Sequence, residues 1–305
     1  ENIQARFGTK CLPLQIPIGA HTSFEGIIDL LALKAYVGEK ETEIPAQLQA
    51  QVDSFREKLV EAIAEVDDTL IEKYLGGEEI TLEELRTTLR LAVIDSGVTP
   101  ILAGSGLQNM GISWLLDAIC AYLPSPKERK VAVASGAIEP SEDAPLAALV
   151  FKTSADPYVG KLTYFRVYTG TIDSNSQVWN ATQGKVERIG QLFVLRGKTQ
   201  EPVSQLSAGD IGAVAKLSLT STGDTLCSRD KPVKIAPVLF PEPAFSEAVQ
   251  PKTKADLDKL GAALSRLVEE DPTLRVQRDT DTNETIISGI GETHLEVAAE
   301  KMLRK

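Results

Sequence analysis

The chain is poor in the residues that build metal and disulfide sites: 305 residues hold three cysteines and two histidines. Cys11, Cys120 and Cys227 stand far apart with no CxxC pair, which argues against a zinc module or a disulfide framework and fits a reducing cytoplasm. No apolar run approaches the ~20 residues that span a bilayer, so a soluble protein with no membrane partner is expected. The N-terminus also lacks the basic-then-apolar pattern of a secretory signal. Nowhere is there a GxxxxGK[ST] phosphate loop or an Asn-Lys-x-Asp motif, so the chain has no ready cradle for nucleotide phosphates and no hydroxyl placed for Mg²⁺.

Positive charge is the next scarcity, and it is uneven. The net charge is −11. Residues 1–144 carry 12 basic against 23 acidic side chains, residues 145–238 carry 11 against 7, and residues 239–305 carry 9 against 13. Phosphate contacts depend on local charge, so only the middle unit offers a surface for RNA. Lys161, Lys185, Arg188, Arg196 and Lys198 are its candidate contacts, placed on the outside of that unit. Ordinary solvation is the competing explanation for them.

What is present divides the chain into units. Residues 10–18 read as an edge or irregular strand, given Pro13 and Pro17, and residues 24–36 as a second extended or mixed segment. Leu48, Val52, Phe55, Leu59, Ala62 and Val66 recur at helical steps, Asp67 and Asp68 cap a following helix that ends at Gly76 and Gly77, and Thr81 with Glu84 forms a capping box for a third. This acidic helical block shows no chemistry of its own. An apolar run at 100–103, a turn at Gly104, Ser105 and Gly106, and a helix with Ile112, Leu115, Leu116 and Ile119 on one face then make a strand–turn–helix unit. Such a unit offers backbone N–H groups to a ligand at the carboxyl end of a sheet.

Residues 127–144 read as a small, polar interdomain linker. The segment 151–172 alternates with a period of two after a turn at Asp156 and Pro157, which predicts a β-hairpin. Further strands are expected at 146–152, 162–169, 177–180, 187–195, 211–216 and 233–238, an antiparallel barrel in all. From residue 239 the order becomes strand 245–249, helix 254–270, strands 274–277 and 285–289, and helix 292–303, a split-βαβ, ferredoxin-like half-sandwich. Glu292, His294 and Glu296 resemble metal ligands in spacing, but a helix turns His294 roughly 200° from Glu292, and no metal is expected.

The wording of these segments adds a family. DPYVGKLTYFRVYTGTI, GDTLC at 223–227, and FPEPAFSEAVQPKTKADLDKLGAALSRLVEEDPTLRV occur in the order found in bacterial elongation factor G, and the chain resembles its second and third domains closely. GETHLEV at 291–297 is similar to the family's Gly-Glu-Leu-His-Leu-Glu-Ile, with Thr293 replacing a leucine, a departure that points towards a paralogue. The resemblance implies a multidomain α+β protein. Its parts are a GTPase-domain remnant with an inserted acidic helical subdomain (1–126), a linker (127–144), a translation-factor β-barrel (145–238) and a truncated ferredoxin-like domain (239–305).

By the same resemblance, residues 104–107 match the loop that gives a backbone N–H to the guanine base. There Ser105, Gly106 and Leu107 stand for the usual Ser-Ala-Leu, and Gln108 for a common lysine. The intact protein is expected to use GTP or GDP with Mg²⁺, to act in the cytoplasm, and to partner the ribosome, both its RNA and its proteins including the stalk, and indirectly the tRNA–mRNA complex. The segment alone is expected to hold no nucleotide and to be inactive, as an internal piece of a larger GTP hydrolase. The alternatives are a recycling, release or ribosomal-protection paralogue, or a non-catalytic ribosome-binding module.

Overall fold

The computed structural model describes residues 2–38, 40–133, 136–156, 160–251, 253 and 256–304. They fall into two compact units, residues 1–124 and 125–305. Together they form the mixed α/β architecture with antiparallel sheets expected from the sequence. No helix among the described residues is long and apolar enough to cross a membrane.

In the first unit the single strand expected at 10–18 is two. Cys11–Pro13 pairs in parallel with Thr99–Ile101, and Gln15–Ile18 opens an antiparallel sheet with Gly26–Asp29, Lys34–Val37 and Lys40–Thr42. The break at Leu14 lets one chain serve two sheets: its N–H donates to Ile101 in one and its carbonyl accepts from Leu30 in the other. The helix Gln49–Ala64 buries Val52, Leu59 and Ile63, while Val66 lies past its end and is exposed. Asp67 caps Asp68–Gly76 through a bond from Leu70 N, 2.9 Å, and Gly77 closes it in the left-handed region. Thr81 and Glu84 form the expected capping box on Leu82–Ile94. Glu84 also takes a bond from Lys73, 2.5 Å, and with the Thr81 bonds this holds its carboxyl down to about 2.

The helix Ile112–Tyr122 does not use the face expected of it. Ala118 and Tyr122, one turn apart, pack on the core, while Leu115, Leu116 and Ile119 are exposed.

The second unit opens on the stretch read as a linker, and it is not merely one. Val131–Val133 pairs with Gly136–Ile138 as a hairpin, Val133 bridges to Ile235, and these apolar residues pack with Leu149 and Tyr168 on the outside of the barrel. Residues 134–135, between these two strands in sequence, and Pro157 of the turn expected before Gly160 lie outside the described residues.

The main sheet has eight antiparallel strands in the order Lys185–Arg188, Gln177–Asn180, Thr225–Cys227, Ala147–Asp156, Gly160–Thr169, Ile211–Ala215, Leu192–Arg196 and Thr199–Val203. Val178, near one end of that order, and Leu192 and Val203, at the other, share one apolar core with Val150, Phe165, Val167 and Val214, so the sheet curls round on itself. The strand expected at 187–195 is broken at residues 189–191, and 233–238 contributes only the bridge at Ile235.

The final αβ part matches expectation closely. Phe245–Val249, Thr285–Gly289 and Arg275–Arg278 form a sheet in that order, with the last-paired strand antiparallel to both neighbours, as a split βαβ requires. Leu264 and Leu267 of Leu257–Glu270 and Leu295 and Ala298 of Glu292–Arg304 pack against it with Leu274 and Ile287. The expected helix start at 254–255 lies outside the described residues.

Candidate functional site

The residues 104–107 sit where strand Thr99–Ile101 hands over to helix Ile112–Tyr122. Ser105 and Met110 exchange both backbone hydrogen bonds, 2.8 and 3.1 Å, and Ser105 Oγ accepts from Gln108 N at 3.3 Å, so the loop is a closed tight turn. Its base is tied to the neighbouring sheet by Ala103 N donating to Gln15 Oε1, 3.2 Å. Sequence reasoning gave Gln15 no role, because a glutamine within a strand carries no signal of its own. Ser105 N–H is consumed by the turn. Among the described residues, the N–H groups of Gly106 and Leu107 have no acceptor, and the Leu107 side chain is fully exposed at the tip. These two N–H groups are what the loop leaves free for a ligand.

The five basic candidates come from three parts of the barrel sheet. Lys185 and Arg188 are exposed at the two ends of the edge strand Lys185–Arg188. Arg196 and Lys198 are exposed at the opposite end of the sheet order, where Arg196 lies 3.5 Å from Glu201. Cations on edge strands also guard against edge-to-edge pairing, which is their structural use.

Lys161 is a correction. Its side chain is 17% exposed and its ammonium is ion-paired with Glu269 of the αβ part, so it is spent inside the protein. Beside it the Thr153 hydroxyl donates to the Glu269 carbonyl, and Ala155 N donates to Glu270 Oε1 at 2.7 Å. These bonds join the barrel to the helix Leu257–Glu270.

The same junction holds a group that sequence reasoning set aside as a mimic of a metal ligand. His294 Nδ1 accepts from Ile290 N at 3.1 Å, which leaves the proton on Nε2, 3.0 Å from Asp271 Oδ2. Burial pushes the Asp271 carboxyl up, but the Thr273 hydroxyl at 2.5 Å, the Thr273 N–H at 2.9 Å and His294 outweigh it and hold it below its ordinary range. A cavity of about 280 Å³ lies here, lined by Lys152, Thr153 and Ser154 from the barrel and Asp271, His294 and Lys301 from the αβ part.

Two family models match in tandem: Elongation factor G domain 2 over residues 145–229 and Elongation Factor G, domain III over residues 240–305. The chain is of the elongation factor G type. A crystal structure from Thermus thermophilus superposes with a TM-score of 0.83 at 33% identity, covering 99% of this chain and 44% of that one. This elongation factor G-type chain thus spans less than half the length of that relative. The superposition includes residues 1–144, which neither family model reaches.

Proposed function

We propose that the whole protein is a ribosome-dependent GTPase of translation elongation, coupling GTP hydrolysis to movement of tRNA and messenger RNA. The tandem match of domains 2 and III supports this reading most, since the two occur here in the order and adjacency of elongation factor G. Gly106 and Leu107 would offer their N–H groups to the guanine of GTP or GDP. The Mg²⁺ and phosphate-binding groups of such an enzyme have no counterpart motif in these 305 residues.

The proposed partners follow from charge. The acidic first region, net −11 over residues 1–144, presents polar helix faces to a basic protein such as a stalk component, and the barrel's exposed lysines and arginines face ribosomal RNA. The test is GTP turnover by the intact protein with and without ribosomes, together with single-round translocation. Ribosome-stimulated turnover with translocation supports the proposal; turnover indifferent to ribosomes sinks it. Thr293, exposed where the family pattern has leucine, favours a second reading as a recycling, release or protection paralogue. Stimulated turnover without translocation would select that reading.

A further inference from the structure

Between the hairpin of residues 131–138 and the outer face of Gly160–Thr169 lies a cleft of about 410 Å³ whose charged lining is entirely basic: Arg129, Lys130 and Arg166. Along that strand Phe165 and Val167 point into the barrel core, so Arg166 and Tyr168 point outward, towards the hairpin. The Arg166 guanidinium lies over the Tyr168 ring, 5.4 Å from its centroid. Its Nε is buried with no hydrogen-bond partner, a costly state for a charged donor.

Lys130 is held at the rim by Glu139, 2.7 Å away. Arg129 is exposed, and neither it nor Arg166 has a carboxylate partner among the described residues. The floor is kept open by Gly209, at φ 103°, where an added Cβ would come within 2.9 Å of Pro126.

A planar guanidinium with an unused Nε–H, an aromatic ring fixing its plane and a second arginine at the mouth are what an oxyanion with several acceptor oxygens needs. We propose that this cleft binds a phosphate group, with Arg166 as the bidentate ligand and Arg129 closing over it. The phosphate could come from a free polyphosphate or from a nucleic-acid backbone. The proposal stands on the cleft alone and does not require that the protein be a GTPase.

The test is calorimetric titration of the 305-residue chain at low ionic strength with inorganic pyrophosphate and, separately, with a single-stranded oligouridylate. Wild type should bind at least one of them saturably. Arg166→Lys, which keeps the charge but loses the fork, and Arg129→Gln should each weaken that binding by about tenfold, the value of one charge-assisted bond. Lys259→Gln, on the helix Leu257–Glu270 and outside the cleft's lining, should leave it unchanged.

Pyrophosphate binding assigns a free-anion site, and binding of the oligonucleotide alone assigns a backbone phosphate; both support the proposal. Absence of saturable binding of either, or binding that survives both arginine variants, overturns it. Arg129 is exposed, so its variant decides the matter even if Arg166→Lys unfolds.

Discussion

At Gly289 the missing side chain is the structural feature. A Cβ there would lie 2.8 Å from both His294 Nδ1 and Leu295 Cδ2, so the helix Glu292–Arg304 can approach its sheet only over a glycine. Gly289→Ala should therefore destabilise the αβ part by about 1–3 kcal/mol, the usual cost of overpacking, read as a lowered thermal midpoint. The His294–Asp271 pair that this approach permits makes a separate prediction about pH. Asp271 titrates in the folded state below its ordinary value of 3.8. A depressed carboxyl stabilises the fold fully above its unfolded value, and that contribution fades as pH falls through the folded value. Asp271→Asn should then be less stable than wild type by a constant margin at neutral pH, and the margin should shrink below about pH 4. A margin unchanged down to pH 2 would show that the carboxylate charge is not what the Thr273 and His294 bonds hold.

Elements differ in how plainly their sequences announce them, and the reasons are physical. The helices between Gln49 and Ile94 were legible from the apolar period of the first and the cap chemistry of the other two. The split βαβ was legible because each of its strands is bounded by polar turns. The strand Thr199–Val203 was missed because Pro202 argues against a strand, yet at the end of the sheet order a residue without an N–H breaks no ladder. The hairpin Val131–Val133 with Gly136–Ile138 was missed because three-residue strands carry too short a period to register. The turn between strand Thr99–Ile101 and helix Ile112–Tyr122 was legible from its glycines, but its internal Ser105–Met110 bonds are not written in any spacing. Lys161 was misplaced because alternation fixes which face a residue takes and not which neighbour covers that face. Its pairing with Glu269 separates two predictions. Lys161→Ala should cost up to about 1 kcal/mol of stability, since Glu269 is still partly solvated, and should leave the salt dependence of ribosome binding by the intact protein unchanged. Lys185→Glu with Arg188→Glu should instead weaken that binding and flatten the slope of log K against log salt by roughly 0.7 for each lost RNA phosphate contact. An unaltered slope in the double variant would remove this edge from the RNA surface.

For the molecule as a whole, the balance of groups decides what the chain can do with a nucleotide. The loop after Thr99–Ile101 presents two unsatisfied N–H groups, from Gly106 and Leu107, each worth about 0.5–1.5 kcal/mol net when bonded to a base. Micromolar affinity needs about 8 kcal/mol, so the base contacts alone fall several kcal/mol short. Catalysis of phosphoryl transfer rests on clamping the phosphates and neutralising their charge with Mg²⁺ and a lysine, and the sequence contains no phosphate-loop motif to do either. The barrel and the αβ part have apolar cores of their own, and the first unit has a third, so folding does not depend on bound nucleotide. The purified 305-residue chain should accordingly fold cooperatively, bind GDP and GTP more weakly than micromolar in calorimetric titration, and release no phosphate above the buffer rate. Micromolar binding abolished by Leu107→Pro, which removes one of the two free N–H groups, would mean that groups within this chain replace the phosphate loop. Turnover that survives repurification would place a complete catalytic site within it.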